Sequence, residues 1–410
     1  VTDVRTTASR PRNRRQLIIT AAAAQFRATG YHNVGIVDIA EAVGITSAAL
    51  YRHFTSKQDL LRAAVQDAID RLPGAFAAYG PGADLEQLLR AACAVTVQGP
   101  AAGVLWGREM VHLPAQVHAS LRSQVLAAVA PLRTSMAAAR PDLDGDSVDL
   151  LLWAVLGVLA SDAYHAVRID ARLFQERLYD VCRGVVGVSL PPHRAARPPR
   201  RLERPGLLPA SRPEAILTAA VRLFRAKGYH VVGVDDIGAE AGITGATIYY
   251  HFENKAAILA ASLNRCLQAM LFDLSGALDS SRTAGEALDK VLGYFVRICV
   301  EHGQVVGALQ KEAINLPDDD RRALFQAERE YRDEWVALLV RHRDDLSQPE
   351  AQILVRAAIS SIGGLMAIPR IEARAGLADE LTQIGRAILG LHRPGRSTDP
   401  LVDSRAAICS

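Results

Sequence analysis

Apolar residues recur at i, i+3, i+4 and i+7 along most of the chain, with no convincing two-residue alternation, so the pattern predicts helices and an all-α protein. The pattern also repeats. The segment AAAAQFRATGYHNVGIVDIAEAVGITSAALYRHFTSKQDLL (Ala21 to Leu61) aligns without gaps on AAVRLFRAKGYHVVGVDDIGAEAGITGATIYYHFENKAAIL (Ala219 to Leu259), 198 positions later, with about half the residues identical. That spacing is far longer than a solenoid period, so each copy is expected to be a complete module. A weaker echo, Glu109-x-x-x-Leu113-Pro114 and Glu312-x-x-x-Leu316-Pro317 at a shift of 203, extends the duplication beyond the first segment.

Within copy 1 the periodicity predicts a first helix ending near Gly30, short helices over about Val37 to Val43 and Ser47 to His53, and a long helix from about Lys57. Further helices follow over Leu85 to Gln98, Gly103 to His112, Pro114 to Ala139, Ser147 to Val167 and Ala171 to Val188. Copy 2 repeats the series, with late helices near Asp318 to Arg343, Pro349 to Ala367 and Ala378 to Leu391. Between the copies, LPPHRAARPPRRLERPGLLPASRP carries too many prolines for a helix and too many arginines for a core, and reads as a linker. Extended at about 3.1 Å per residue it would reach on the order of 60 Å.

In GIVDIAEAVGITSAALYRHF, Ile39 and Val43 form one inward pair and Leu50 and Phe54 another, with Gly44 between the helices. Glycine at positive φ permits the tight turn of a helix-turn-helix without steric cost. The outer face of the second helix then carries Ser47, Ala48, Tyr51 and Arg52. A slim, polar helix end of this kind can enter a major groove about 12 Å wide.

These residues resemble the TetR family of one-component regulators: GYxxxGxxDIxxxxGIT, then Tyr51, His53, Phe54 and Lys57, repeated as Tyr249, His251, Phe252 and Lys255. The resemblance covers roughly 50 residues of each copy. It implies base-reading positions at Ser47, Ala48 and Ala49 and at Gly245, Ala246 and Thr247, with Arg52 and Tyr250 beside them. It implies phosphate contacts from Tyr51, His53 and Lys57, and from Tyr249, His251 and Lys255. The family's hydroxyl at the start of the preceding helix is replaced by Gly35 and Gly233, an acceptable N-cap with no hydroxyl to offer. Gly30 and Gly228 read as helix C-caps and Tyr31 and Tyr229 as packing residues.

The implied organisation is a helix-turn-helix domain over 1–60, a helical sensor and dimerisation domain over 61–189, a linker over 190–211, a second helix-turn-helix over 212–258, a second sensor over 259–392 and a tail over 393–410. Family members pair through their last two long helices, so one chain is expected to form an internal pseudo-dimer, with Gly363 and Gly364 allowing close approach. The rival assembly has two chains each donating one head. The differing heads imply an asymmetric DNA operator, and the family implies a small-molecule effector. For its pocket the aromatic candidates are Trp106, Trp153 and Tyr164 in copy 1 and Tyr294, Phe295 and Trp335 in copy 2, and their apolar character suggests a hydrophobic or acyl-bearing molecule.

Charge sharpens this reading. The formal net charge is only +3, but residues 1–60 hold eight cations against four acids, and 190–230 hold nine against two. Arg5, Arg10, Arg12, Arg14 and Arg15, and Arg197, Arg200, Arg201 and Arg204, are candidates for backbone or minor-groove contact. The five cysteines, widely spaced with no CxxC, indicate neither a disulfide framework nor a zinc site. No nucleophile, metal or nucleotide motif stands in a suitable context, so no enzyme activity, cofactor or metal is expected. No membrane span or signal segment is read, and the expected compartment is the cytoplasm. The alternative function is a helical ligand-binding or protein-interaction module with reduced DNA binding, which the sparse Ala48 and Ala49 would suit.

Overall fold

Every element that the computed structural model assigns among the described residues is helical; these residues are 14–31, 33–80, 82–99, 105–161, 167, 169–191, 208–227, 229, 231–313, 316–366 and 368–391. In copy 1 the helices are α1 (Arg14–Thr29), α2 (Ile36–Ala42), α3 (Ser47–Tyr51), α4 (Lys57–Ala77), α5 (Leu85–Gln98), α6 (Ala115–Ala128), α7 (Ala130–Ala139), α8 (Gly145–Ala160) and α9 (Ala171–Val186). Copy 2 gives α10 (Arg212–Lys227), α11 (Val234–Ala241), α12 (Gly245–His251), α13 (Lys255–Asp279), α14 (Ala284–Glu312), α15 (Asp318–His342), α16 (Gln348–Leu365), α17 (Pro369–Glu372) and α18 (Leu377–Leu389).

Three expected helices are corrected. Pro114 to Ala139 is two helices, because Val129 leaves helical geometry and its N–H turns back to Val125 and Ala127. The described part of Gly103 to His112 is a π turn over Leu105–Glu109 followed by a 3₁₀ turn over Met110–His112. The helix expected over Ser147 to Val167 starts at Gly145, behind an Asp144 cap that accepts from the Ser147 N–H, and ends at Ala160. The arginines of 1–13 and of 192–207 lie outside the described residues, as do Gly228, Tyr164 and the tail from 392.

The contacts divide the chain into two units that cut across the repeat. The first holds Val1–Leu132 with Asp162–Tyr164; the second holds Arg133–Ser161 and His165–Ser410. The first unit packs α1, α2 and α3 around Ile18, Ile19, Phe26, Ile39 and Leu50, with α4 running on to α5 and α6.

The second unit contains all the described helices of copy 2, together with α8, α9 and all but the start of α7 of copy 1. There α8, α9, α16 and α18 form a four-helix bundle. Val148, Leu151, Leu152, Val155 and Val158 of α8 are fully buried against a neighbouring α16 whose Ile353, Leu354, Val355 and Ile362 are buried too. Alanines at 154, 357 and 358, all at 0 % exposure, keep the two axes close. The close approach falls at Gly157, where a Cβ would stand 2.8 Å from Ser361 Cα, and not at Gly363 and Gly364, whose surroundings are open. The duplication extends into this unit: Arg140 pairs with Asp142, and Arg343 pairs with Asp345 at the same offset of 203. By length and composition, α13 could cross a membrane, but it uses Ile258, Leu259, Leu263 and Leu267 to build the copy 2 core.

Candidate nucleic-acid interface

Head 1 is built by local rules. The Gly35 N–H donates to Asp38 Oδ2 at 2.7 Å, which closes the start of α2 without a hydroxyl. Gly44, at φ 66°, turns the chain, and its N–H donates to Glu41 O while that of Ile45 donates to Ala40 O. Thr46 then caps α3, its hydroxyl accepting from the Ala49 N–H at 3.2 Å. Leu50 and Phe54 face the core as expected; Val43 is only half-buried. The Arg15 guanidinium covers the Phe54 ring at 4.9 Å. Opposite the core, Ala48, Tyr51, Arg52 and His53 are exposed, and Ser47 and Ala49 are half-buried beside them. These candidates therefore share one surface, on a helix shorter than expected.

Head 2 uses the same frame. Gly242 turns at φ 70°, and Thr244 caps α12 by accepting from the Thr247 N–H at 3.4 Å. The two threonine hydroxyls also lie 2.9 Å apart, so Thr247 is tied to the cap. Ile237 and Ile248 are buried, Ala246 and Tyr249 are exposed, and Tyr250 is 87 % exposed, edge-on to the half-buried His251 at 5.1 Å. Gly245 and Thr247 are half-buried.

One residue of this surface escaped the sequence reading. A Cβ on Gly245 would fall 2.0 Å from Asp235 Oδ1, so the Asp235 carboxylate occupies the space at the start of α12 that a side chain would need. Head 1 has Val37, 56 % exposed, and Ser47 at the matching positions. The signal was present in the alignment as a paired exchange, Val and Ser for Asp and Gly.

The two lysines depart from expectation. Lys255 Nζ donates to Tyr229 O and Val232 O, both at 2.9 Å, and lies 4.4 Å from the Tyr229 ring centre. Lys57 lies over Tyr31 at the same distance. Burial holds the Lys57 ammonium below the ordinary lysine value, opposed by the Glu109 and Asp38 carboxylates. Both ammoniums thus brace the head from inside, and Lys255 has at most one hydrogen left for a phosphate.

That brace continues into the sensor of copy 1. Glu109 is 1 % exposed and accepts from the Tyr31 N–H at 3.0 Å; Tyr31 stacks on His112 at 4.8 Å, and Gln58 donates to His112 O. In copy 2 the head core takes in Ala313 and Leu316. Residues of the echo thus lie against each head, Glu109 in copy 1 and Leu316 in copy 2.

Of the pocket candidates, Trp335 is fully buried between Phe295, at 5.8 Å, and Tyr331, at 6.0 Å. Trp106, in the π turn, and Trp153, on α8, are half-buried, and Tyr294 carries Arg297 over its ring at 5.5 Å. Among the described residues no cluster of His, Cys, Asp and Glu has metal-holding geometry.

Residues 18–64 and 216–262 each match the family model described as bacterial regulatory proteins, tetR family. The HTH-type transcriptional repressor BdcR of Escherichia coli is 30% identical over 110 residues, covering 27% of this chain and 56% of that protein. The HTH-type transcriptional repressor KstR2 of Mycolicibacterium smegmatis is 36% identical over 136 residues, 32% of this chain and 64% of that one. The chain thus spans between half and two thirds of the length of these relatives. Among solved structures, a TetR-family transcriptional regulator from Bordetella parapertussis is 17% identical with a TM-score of 0.41, covering 44% of this chain and 95% of that one.

Proposed function

We propose that the chain, in which residues 18–64 and 216–262 each match the tetR family model, is a cytoplasmic DNA-binding transcriptional repressor of that family that reads an asymmetric operator with two non-identical heads. The observation that carries this reading is the pair of capped, outward-facing helices α3 and α12, built on one frame but presenting different side chains. Head 1 offers Ser47, Ala48, Ala49 and Arg52; head 2 offers Gly245, Ala246, Thr247 and Tyr250, with Asp235 beside them. Arginine suits guanine, whereas a carboxylate accepts from the amino group of cytosine, so the half-sites should differ in base content. Tyr51, His53, Tyr249 and His251 serve the flanking phosphates, which carry no sequence information of their own.

Release is assigned to a small hydrophobic or acyl-bearing effector held among sensor helices, the candidate contacts being Trp106 and Tyr164 in the first unit and, separately, Trp153 and Trp335 in the second. Such a molecule frees DNA only if it binds the DNA-incompetent arrangement more tightly. In copy 1 the route to the head runs through Glu109 and Tyr31, since a shift of the π turn moves the carboxylate that holds the Tyr31 N–H. Selection of bound fragments from random DNA by the purified chain tests the proposal. It predicts two unlike half-sites and an affinity that falls steeply with salt. A perfect palindrome occupied by two chains through equivalent heads would refute the asymmetric reading, and salt-insensitive binding without sequence preference would favour the interaction-module alternative.

A further inference from the structure

The four-helix bundle is not self-complementary, and this bears on which partner each module accepts. The helices α8 and α16 start from the caps Asp144 and Ser347, 203 residues apart, and the buried stripe Phe174, Leu178 and Val185 of α9 recurs at the same offset as Leu377, Leu381 and Ile388 of α18. The two modules therefore offer matched positions to the bundle, and at two places the matched residues differ in kind.

The first is steric. Gly157 faces Ser361 so closely that a Cβ would stand 2.8 Å from Ser361 Cα, and the Ser361 hydroxyl donates to Ala154 O at 3.0 Å. The residue of copy 2 corresponding to Gly157 is Ser360. If copy 2 met a second copy of itself in this geometry, Ser360 would bring a Cβ into that gap twice over.

The second place is electrostatic. Arg177 Nε donates to Glu350 Oε1 at 2.6 Å, and Glu350 is 6 % exposed. The counterpart of Arg177 is Glu380, 2 % exposed, and that of Glu350 is Ser147. Arg374 joins these two, donating to Glu380 at 2.7 and 2.9 Å and to Ser147 Oγ at 3.1 Å. Self-pairing of copy 2 would set Glu350 against Glu380, two buried carboxylates sharing one arginine. Self-pairing of copy 1 would set Arg177 against Ser147, so that its guanidinium would lose Glu350 and keep only Asp180 of its own helix, 3.6 Å away. Uncompensated buried charge is strongly unfavourable, and specificity between similar partners is built from such penalties.

We infer that the bundle is a heterotypic pairing code, in which the last two helices of copy 2 reject themselves and those of copy 1 gain the buried Glu350 as a partner for Arg177 only by pairing with copy 2. The code goes beyond the proposed function and does not depend on DNA binding. Its consequence is that these helices favour the unlike partner over the identical one.

The test uses the full-length protein carrying a protease site introduced between residues 192 and 207, cleaved after folding. Natural-isotope and heavy-isotope batches are cleaved, mixed and weighed by native mass spectrometry. Pairs of one N-terminal and one C-terminal fragment are expected, including mixed-isotope pairs, with homotypic pairs at least tenfold below the statistical share. The double variant Ser360→Gly with Glu380→Arg, which gives copy 2 the clearance of copy 1 and sets an arginine against Glu350, is expected to raise pairing between C-terminal fragments at least tenfold. Homotypic pairs at the statistical share, fragments that separate, or no gain in the double variant would each overturn the inference.

Discussion

The two heads are one construction with two surfaces. Positive-φ glycines at 44 and 242, threonine caps at 46 and 244 and buried Leu50 and Ile248 set the same turn and helix start in both. Outside that frame they diverge. Both present an exposed tyrosine, Tyr51 or Tyr249, but head 1 adds Val37 and the cationic Arg52 where head 2 adds Asp235 and a second aromatic, Tyr250. Presentation of the helix and choice of base are therefore separable: one set of residues fixes where the helix stands, another decides what it can recognise.

The largest expected effect breaks the frame unequally. Phe54 is 2 % exposed and Phe252 half-buried, so Phe54→Ala should cost head 1 about 3–5 kcal/mol, and Phe252→Ala should cost head 2 roughly half as much. Hydrogen exchange of the α3 and α12 amides in the full chain reads each head separately; equal losses would contradict the packing difference.

Next comes Glu109→Ala, which strips the buried Tyr31 N–H of its acceptor and should destabilise the head 1 junction by about 1–3 kcal/mol. Exchange at the Tyr31 amide should rise while α12 is untouched.

Asp235→Ala removes the carboxylate at the start of α12. Discrimination at one base pair of the head 2 half-site should relax by about 1–2 kcal/mol, or roughly five- to thirtyfold, with the head 1 half-site unchanged. Competition binding with single-base-pair operator variants measures this.

The smallest effect is in the bundle. The Ser347 hydroxyl and N–H, and then Arg177, hold the Glu350 carboxyl below the ordinary carboxylate range. A depressed folded value means that this stabilisation is complete above the unfolded value of about 4.3 and is lost as pH falls through the folded one. Denaturant unfolding below about pH 4 should therefore show a loss of about 1 kcal/mol that Glu350→Gln abolishes.

Much of this was legible in the sequence. The glycine turns, the inward Leu50 and the duplicated frame follow from local rules that a repeat displays twice. Glu109 appeared only as an echo, because an acid beside a Leu-Pro step carries no sign that it will be buried under Tyr31. The inward lysines were hidden for a related reason: a flexible four-carbon stem can reach solvent or backbone carbonyls, and only tertiary geometry chooses. Gly157 lies in an apolar run where glycine has no visible turn to make, whereas the paired Gly363 and Gly364 drew attention with open space around them.

Exchanging the reading surfaces tests most directly whether the two heads read different half-sites. A chain carrying Val37→Asp, Ser47→Gly, Ala49→Thr and Arg52→Tyr in head 1, and Asp235→Val, Gly245→Ser, Thr247→Ala and Tyr250→Arg in head 2, keeps each frame and satisfies the space at Gly245. Footprints on a DNA fragment holding the selected operator in one fixed orientation should show this chain bound in the reverse direction, with affinity close to that of the parent. An unchanged direction of binding would contradict the claim that two unlike heads read two unlike half-sites.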